Sequence, residues 1–243
     1  MGDTYYTVLQ GLGRIRVSGC SAEQFIHTMT TVDKGRLCLA GEAAGALVLT
    51  GEAEVIDVVV LARSGDTEFM LTTHAETREE VFSWLEAHAA LADDAGPVFD
   101  GLDITDETES LLTYAVFGPQ SHAVIDELAS HQLDSALGAG HVALCMLDGI
   151  QAFVLAYPLL AGGYYELSVQ PALAPGLKRL LLSFPEIDPM GLEPFKARRR
   201  ESCTWFDEAA KAAYCHADAA GLEALIRTPY DFVGGRALTS RHS

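Results

Sequence analysis

Gly191-Leu-Glu-Pro-Phe-Lys-Ala-Arg-Arg-Arg-Glu201 places three consecutive arginines in a chain whose 243 residues carry a formal net charge of -18. Because the remainder of such an acidic protein repels anions, a local cluster of arginines indicates an anion-binding site. A solvated basic turn on a helix accounts for the same residues equally well. Taken alone, the segment leaves both interpretations open.

The overall composition is typical of a soluble globular protein, with 49% hydrophobic and 21% charged residues. The chain has 34 acidic side chains against 16 Lys and Arg, which argues against nucleic acids and anionic membranes as partners. No stretch reaches the ~18 apolar residues of a membrane-spanning helix, and the N-terminus lacks a signal-peptide pattern. Five scattered cysteines without a C-x-x-C pair favour a reducing, cytoplasmic location.

Strands and helices are mixed along the first half of the sequence, which predicts an α+β fold. Short apolar segments at 15–19 and 69–73 predict strands, and the longer apolar run at 55–61 predicts a buried strand. Apolar residues recur at helical spacing over 77–91, which predicts a helix.

A similar order of elements resumes in the second half of the sequence. Apolar segments at 111–117, 147–156 and 164–169 predict a second set of strands. The two halves are similar in pattern but not in sequence. We therefore expect two α+β subdomains, at residues 1–105 and 106–190, and a returning segment at residues 191–243.

Asp57 lies inside an apolar run, with Ile56 before it and Val58 after it. Burial of an unpaired carboxylate would cost several kcal/mol. A functional role or a polar partner would explain a carboxylate at this position. An outward-facing position on an edge strand, or a position at the start of the strand beside the turn, would explain it as well.

Several segments together resemble the glycine cleavage system T-protein family, and the resemblance covers almost the whole chain. The arginine-rich stretch resembles the family's Gly-x7-Arg-x-Glu segment. The run around Asp57 resembles the family segment Gly-Gly-x-Ile/Leu-Asp-Asp-Leu-x-Val, with Val58 in place of its second aspartate. The other matching segments are residues 17–33, 115–119, 164–167 and 231–236.

The resemblance implies two interlocked mixed-sheet subdomains around a central cleft that binds tetrahydrofolate. Asp57 aligns with an aspartate that approaches the folate nitrogens N5 and N10, which implies a catalytic role. Glu166 aligns with the glutamate that accepts hydrogen bonds from the pterin ring, and a carboxylate can accept two adjacent N–H donors. The neighbouring Tyr165 is assigned to the cofactor site with it.

Two further residues are assigned to the cofactor on the same resemblance. Arg199 aligns with the family's arginine and would contact the pterin or the folate carboxylate, with Glu201 holding it. His74 occupies the asparagine position of an Asn-Ala pair near the cofactor, and histidine also changes its charge near neutral pH. A helix-cap or surface role is an equal alternative for His74. We expect no bound metal, because Cys215 and His216 lack a second cluster of ligands.

The function that the resemblance implies is a tetrahydrofolate-dependent transferase, which moves a methyl or methylene group to or from a small amine, ether or sulfur compound. A full T-protein continues into a third domain that this sequence lacks. A homo-oligomer or a partner subunit is the expected substitute for it. Two alternatives stay open: a folate-binding accessory or regulatory subunit without chemistry of its own, and a repurposed fold that no longer binds folate.

Overall fold

The computed structural model describes residues 3–131, 133, 139–157, 163–202 and 222–241, except the side chains of residues 199–202 and 241. None of the helices within these ranges is long and apolar enough to span a membrane. The elements in chain order are β1 (Thr4–Leu9), β2 (Gly13–Gly19), α1 (Ala22–Met29), β3 (Ala43–Leu49), β4 (Val55–Gly65), β5 (Glu68–Thr73), α2 (Arg78–Ala89), β6 (Ala92–Asp93), β7 (Gly96–Pro97), β8 (Leu102–Asp106), β9 (Leu112–Phe117), α3 (Ser121–Leu128), β10 (His141–Leu147), β11 (Ile150–Ala156), β12 (Tyr164–Val169), α4 (Ala174–Leu181), β13 (Ile187–Pro189), α5 (Leu192–Ser202) and α6 (Gly235–Arg241).

The chain divides into two compact units, and each of them combines distant stretches of sequence. Each unit contains a β-sheet with helices, so the predicted α+β class is confirmed. The first unit contains residues 1–11 and 108–204, and the second unit contains residues 12–107 and 205–243.

This division differs from the one expected from the sequence at the beginning of the chain. Strand β1 pairs with β9, with Tyr5 opposite Phe117, so the first eleven residues join the first unit. The chain passes between the units at residues 107–108. The stretch expected to form one strand at 147–156 instead contains the end of β10, a turn at Asp148 and Gly149, which both have positive φ, and strand β11, which pairs with β10 as a hairpin.

The first unit is built on a six-stranded sheet with the order β10-β11-β12-β9-β1-β13. All neighbouring strands are antiparallel except β1 and β13, which are parallel. Helices α3 and α4 contribute Ile125 and Leu177 to a core that also contains Val116 and Leu167 from the sheet. Because side chains alternate along a strand, Glu166 lies on the opposite face of β12 from this core.

The second unit is built on a five-stranded antiparallel sheet with the order β3-β4-β5-β2-β8. Helices α1 and α2 contribute Phe25 and Leu85 to its core, which also contains Val17, Val59 and Leu71 from the strands. Apolar residues at alternate strand positions therefore form one face of the sheet that packs against helices.

A tight turn after β9 joins the first unit's sheet to α3. Gly118 in this turn has φ +122°, a value that favours glycine. A Cβ atom at this position would collide with the main-chain carbonyl oxygen of Asp3. The turn therefore requires glycine for its backbone angle and for the close approach of another chain segment.

Gly118→Ala is expected to lower the free energy of unfolding by about 2–3 kcal/mol, because backbone strain and a steric clash add together. Gly149→Ala is the matched control, since Gly149 has φ +82° but nothing within 4 Å of the added Cβ. Its expected cost is about 1 kcal/mol. Urea unfolding measures both values, and equal losses would contradict the clash.

Candidate functional site

Asp57 lies on the face of β4 that packs against helices. It shares this face with Val59 and Leu61, which belong to the core beneath α1 and α2. The residue is only 3% exposed. The apolar run thus contains a buried carboxylate, and the edge-strand alternative does not hold because β4 lies between β3 and β5.

The Asp57 carboxylate accepts four hydrogen bonds from the protein. Its Oδ1 accepts one from the main-chain N–H of Val58 at 2.8 Å and lies 2.6 Å from His74 Nδ1. Its Oδ2 accepts one from the main-chain N–H of His74 at 2.9 Å and one from Thr77 Oγ1 at 2.7 Å. Asp57 therefore fixes the turn between β5 and α2, and these contacts account for its burial.

His74 is oriented by this carboxylate at two points, through its main-chain N–H and its imidazole. Since an ionised carboxylate only accepts hydrogen bonds, Nδ1 carries the proton of the Asp57 contact. The His74 side chain is 21% exposed, so one part of the imidazole contacts the buried Asp57 carboxylate and another part is accessible to solvent.

Val58 lies on the other face of the five-stranded sheet. It is buried, as is Val60 two positions later, and neither belongs to the core beneath the helices. The position that aligns with the family's second aspartate therefore carries an apolar side chain and faces away from Asp57. Asp57 therefore cannot supply a carboxylate to the face of the sheet on which Val58 lies.

Glu166 is a second buried carboxylate, and it lies in the middle of the first unit's sheet between β11 and β9. The residue is 1% exposed. The Tyr164 hydroxyl approaches its Oε1 at 3.4 Å. On the same face of the sheet, Thr113 and Ser168 share a hydrogen bond of 2.9 Å. A carboxylate can accept hydrogen bonds from the N–H donors of a ligand.

Aromatic rings lie on the same face of the sheet as Glu166. Phe195 from α5 packs against Phe117 with ring centroids 5.1 Å apart and stacks on Tyr164 at 6.0 Å. Tyr157 meets Tyr164 edge-on at 4.8 Å. The first unit therefore combines flat apolar surfaces with a carboxylate, a combination that can hold a planar heterocycle.

Tyr165 lies on the opposite face of β12 and belongs to the core beneath α3 and α4. Its hydroxyl contacts Nδ1 of His122 at 2.8 Å, and burial raises the pKa of the phenol. The structure brings Glu166 together with Tyr164 and not with Tyr165. The alternation of side chains along a strand was the sequence signal for this difference.

The arginine-rich stretch forms part of α5 (Leu192–Ser202). The side chains of Arg199 and Glu201 lie outside the described residues, so their assigned roles stay predictions. The neighbouring Arg198 is exposed and its guanidinium lies 5.0 Å from the centre of the Tyr5 ring.

The predicted site residues are distributed over both units. Asp57 and His74 belong to the second unit, whereas Glu166 belongs to the first.

Thr77 and Arg227 are important polar residues that the sequence did not reveal. Thr77 donates to Asp57, twenty positions away in the chain. Arg227 binds the segment after α1. In the sequence, this role is indicated locally by Asp231, the ion-pair partner four residues later.

Across the residues that the structure describes, no group of three or more His, Cys, Asp and Glu side chains is arranged to hold a metal ion.

Comparison with known proteins gives consistent matches. Residues 8–228 match the family described as GCVT N-terminal domain. The chain is 28% identical over 192 residues to an aminomethyltransferase of Prosthecochloris aestuarii, covering 79% of this chain and 50% of the relative. It is 27% identical over 229 residues to an aminomethyltransferase of Rubrobacter xylanophilus, covering 93% of this chain and 58% of the relative. The chain thus spans about half the length of the curated relatives it matches.

Two solved structures have similar folds. The glycine cleavage system aminomethyltransferase T from Bartonella henselae matches with a TM-score of 0.79 at 18% identity, covering 99% of this chain and 63% of that chain. The heterotetrameric sarcosine oxidase from Corynebacterium sp. U-96 matches with a TM-score of 0.57 at 12% identity, covering 75% of this chain and 85% of that chain. At these identities the matches show a shared fold.

Proposed function

Because the chain belongs to the GCVT N-terminal domain family, we propose that it is a tetrahydrofolate-dependent one-carbon transferase acting on a small amine, ether or sulfur compound. The similarity to aminomethyltransferases supports this class of reaction. The observation that carries the proposal is the buried Glu166 carboxylate on the aromatic face of the first unit.

Glu166 would hold the pterin ring of the cofactor. Its carboxylate can accept hydrogen bonds from two adjacent N–H groups, which fixes the ring's orientation as well as its affinity. Hydrogen bonds to a charged group contribute about 1.5–3 kcal/mol each. The rings of Tyr164, Phe117 and Phe195 supply the apolar surface that such a planar ligand needs.

Bound tetrahydrofolate supplies the nitrogen atoms that carry the one-carbon unit. The protein's own contribution is to orient the reacting groups and to exclude water, and good orientation alone contributes several kcal/mol to a bimolecular reaction. Arg199 in α5 is proposed to pair with an anionic or carbonyl group of the cofactor. Glu201 would hold that arginine in place.

A folate-binding subunit without chemistry is the second candidate function. It is favoured because the Asp57 carboxylate already accepts four hydrogen bonds from the protein itself. It is also favoured by Val58, which brings no carboxylate to the opposite face of the sheet. A partner subunit would then perform the reaction on the bound folate.

Transfer to tetrahydrofolate is expected from at least one donor in a panel of amines, ethers and thioethers labelled with 13C at the transferable carbon. Mass spectrometry of the folate after anaerobic incubation measures the label. Incorporation at least tenfold above the protein-free rate supports the transferase. Folate binding without incorporation from any donor would support the accessory subunit instead.

A further inference from the structure

We propose that strand β10 (His141–Leu147) is a dimerisation edge, where it pairs in antiparallel orientation with β10 of a second copy of this chain. The inference goes beyond the proposed function and does not depend on whether the protein binds folate. It follows from a comparison of the outer strands of the two large sheets and from the charge of the chain.

Three of the four outer strands of the two large sheets are protected against pairing with another chain, within the described part of the protein. β3 is covered by the segment after α1, because the Thr31 main-chain N–H donates to the Leu47 carbonyl oxygen at 3.1 Å. β8 carries the charges of Asp103 and Asp106. β13 has only three residues and ends in Pro189, which has no main-chain N–H. Short strands, charges and proline are common protections of a sheet edge.

β10 has none of these protections. Its seven residues include no Asp, Glu, Lys, Arg or Pro, and its register with β11 contains no bulge. Among the described residues, β11 is the strand with which it pairs. An outer strand of this length presents a row of main-chain N–H and C=O groups along its free side. A second strand can satisfy that row with a regular ladder of hydrogen bonds.

The side chains at this edge add an apolar surface on one face of the sheet. Leu144 is 56% exposed and Met146 is 54% exposed, and they share a face of β10 because they are two residues apart. Phe153 on β11 lies directly opposite Leu144 and is 38% exposed. The core beneath α3 and α4 lies on the other face, with Leu147 and Val154. Three large apolar side chains are therefore adjacent and accessible.

The charge of the chain favours a second copy as the partner. With a formal net charge of -18, two copies repel each other wherever their acidic surfaces meet. The side chains of Leu144, Met146 and Phe153 are uncharged, so two copies can approach at this edge with the least repulsion. A basic partner would instead be attracted to the acidic surfaces of the protein.

The geometry of an outer strand also suits a symmetric pair. A twofold axis perpendicular to the sheet pairs β10 with itself in antiparallel orientation and keeps the apolar faces of both copies on the same side. Asp148, which follows the strand, would lie near His141 of the second copy rather than near another carboxylate. Two seven-residue strands with three large side chains on each copy bury less than about 1,200 Å² in total, which is typical of weak complexes. The dimer is therefore expected to depend on concentration.

The first test is the mass of the protein in solution. Sedimentation equilibrium of the wild type is expected to give a mass that rises with concentration from 26.1 kDa towards twice that value. Leu144→Lys brings like charges together at the edge and is expected to weaken dimerisation about tenfold or more. Met146→Lys tests the same edge if Leu144→Lys does not fold.

Leu182→Lys is the matched control for these variants. Leu182 is 49% exposed in the same unit but lies at the end of α4, so its replacement is expected to leave dimerisation unchanged. A wild-type mass of 26.1 kDa at every concentration would overturn the inference. Dimerisation of a folded Leu144→Lys or Met146→Lys variant as strong as that of the wild type would overturn it as well.

Hydrogen exchange followed by mass spectrometry tests the pairing of the strands themselves. Successive N–H groups alternate between the two sides of a strand, so about half of the amides of β10 point to its free side. Their exchange is expected to slow about tenfold when the dimer forms, while exchange in β8, an outer strand of the second unit, stays the same. A dimer that leaves the exchange of β10 unchanged would place the interface elsewhere and overturn the inference.

Discussion

Replacement of Arg227 by alanine is expected to lower the free energy of unfolding of the second unit by about 3–5 kcal/mol, because each buried carbonyl left without its donor costs about 1–3 kcal/mol. Arg227 is 7% exposed and its guanidinium joins the returning C-terminal segment to the end of α1. It donates to the main-chain carbonyl oxygens of Thr30 at 2.7 Å, Val32 at 3.2 Å and His27 at 2.7 Å. Its Nη2 also pairs with Asp231 at 2.7 Å.

The large effect follows from what remains after the arginine is removed. Carbonyl groups at the end of a helix have no partner within the helix, and Arg227 satisfies those that follow α1. A cation is also favoured at a helix C-terminus. Alanine would leave several carbonyl groups without their donors and the Asp231 carboxylate with only Lys34 as its ion-pair partner among the described residues.

Chemical unfolding followed by tryptophan fluorescence measures this effect, because Trp84 lies in α2 of the same unit. Lys34→Ala is the matched control, since Lys34 binds the same Asp231 from an exposed position. Its expected cost is below about 1 kcal/mol. An unfolding midpoint for Arg227→Ala equal to that of Lys34→Ala would contradict the role assigned to the buried arginine.

Glu166→Gln is expected to weaken tetrahydrofolate binding about 10- to 100-fold, with the fold retained. The substitution preserves the shape of the side chain but replaces one acceptor oxygen with a donor and removes the charge. Loss of a hydrogen bond to a charged group costs about 1.5–3 kcal/mol, and every 1.4 kcal/mol corresponds to about tenfold in affinity. Anaerobic calorimetry measures the change.

Glu127→Gln provides the control for this measurement. It is the same chemical change in the same unit, on an exposed position of α3. Unchanged binding by Glu127→Gln together with weakened binding by Glu166→Gln would locate the effect at the buried carboxylate. Equal affinity of wild type and Glu166→Gln would remove Glu166 from the cofactor site.

The sequence predicted most of the local elements because their apolar spacing is strong. The strands around 15–19, 55–61 and 69–73 and the helix over 77–91 are all present within a few residues of their expected bounds. Long-range pairing was harder to predict. The pairing of β1 with β9 joins residues more than one hundred positions apart, and no periodic pattern carries that information.

Two local features of the sequence account for differences between the expected and the observed structure. Asp148-Gly149 is a dipeptide that favours a two-residue hairpin turn, because both positions can adopt positive φ. Tyr165 and Glu166 are neighbours on a strand, so their side chains must point to opposite faces. Both outcomes follow from elementary strand geometry.

The environment of Asp57 could be predicted only in part. A carboxylate within an apolar run indicated that a partner was needed. The sequence could not identify His74 and Thr77 as those partners, because they lie 17 and 20 positions away. The antiparallel pairing of β4 with β5 is what brings the turn before α2 next to Asp57.

Anaerobic calorimetry of the wild-type protein with tetrahydrofolate is the most direct test of the proposed folate site. Micromolar binding, about -8 kcal/mol, with one site per chain is expected. Absence of binding at millimolar tetrahydrofolate by a folded protein would contradict it and would favour a repurposed fold.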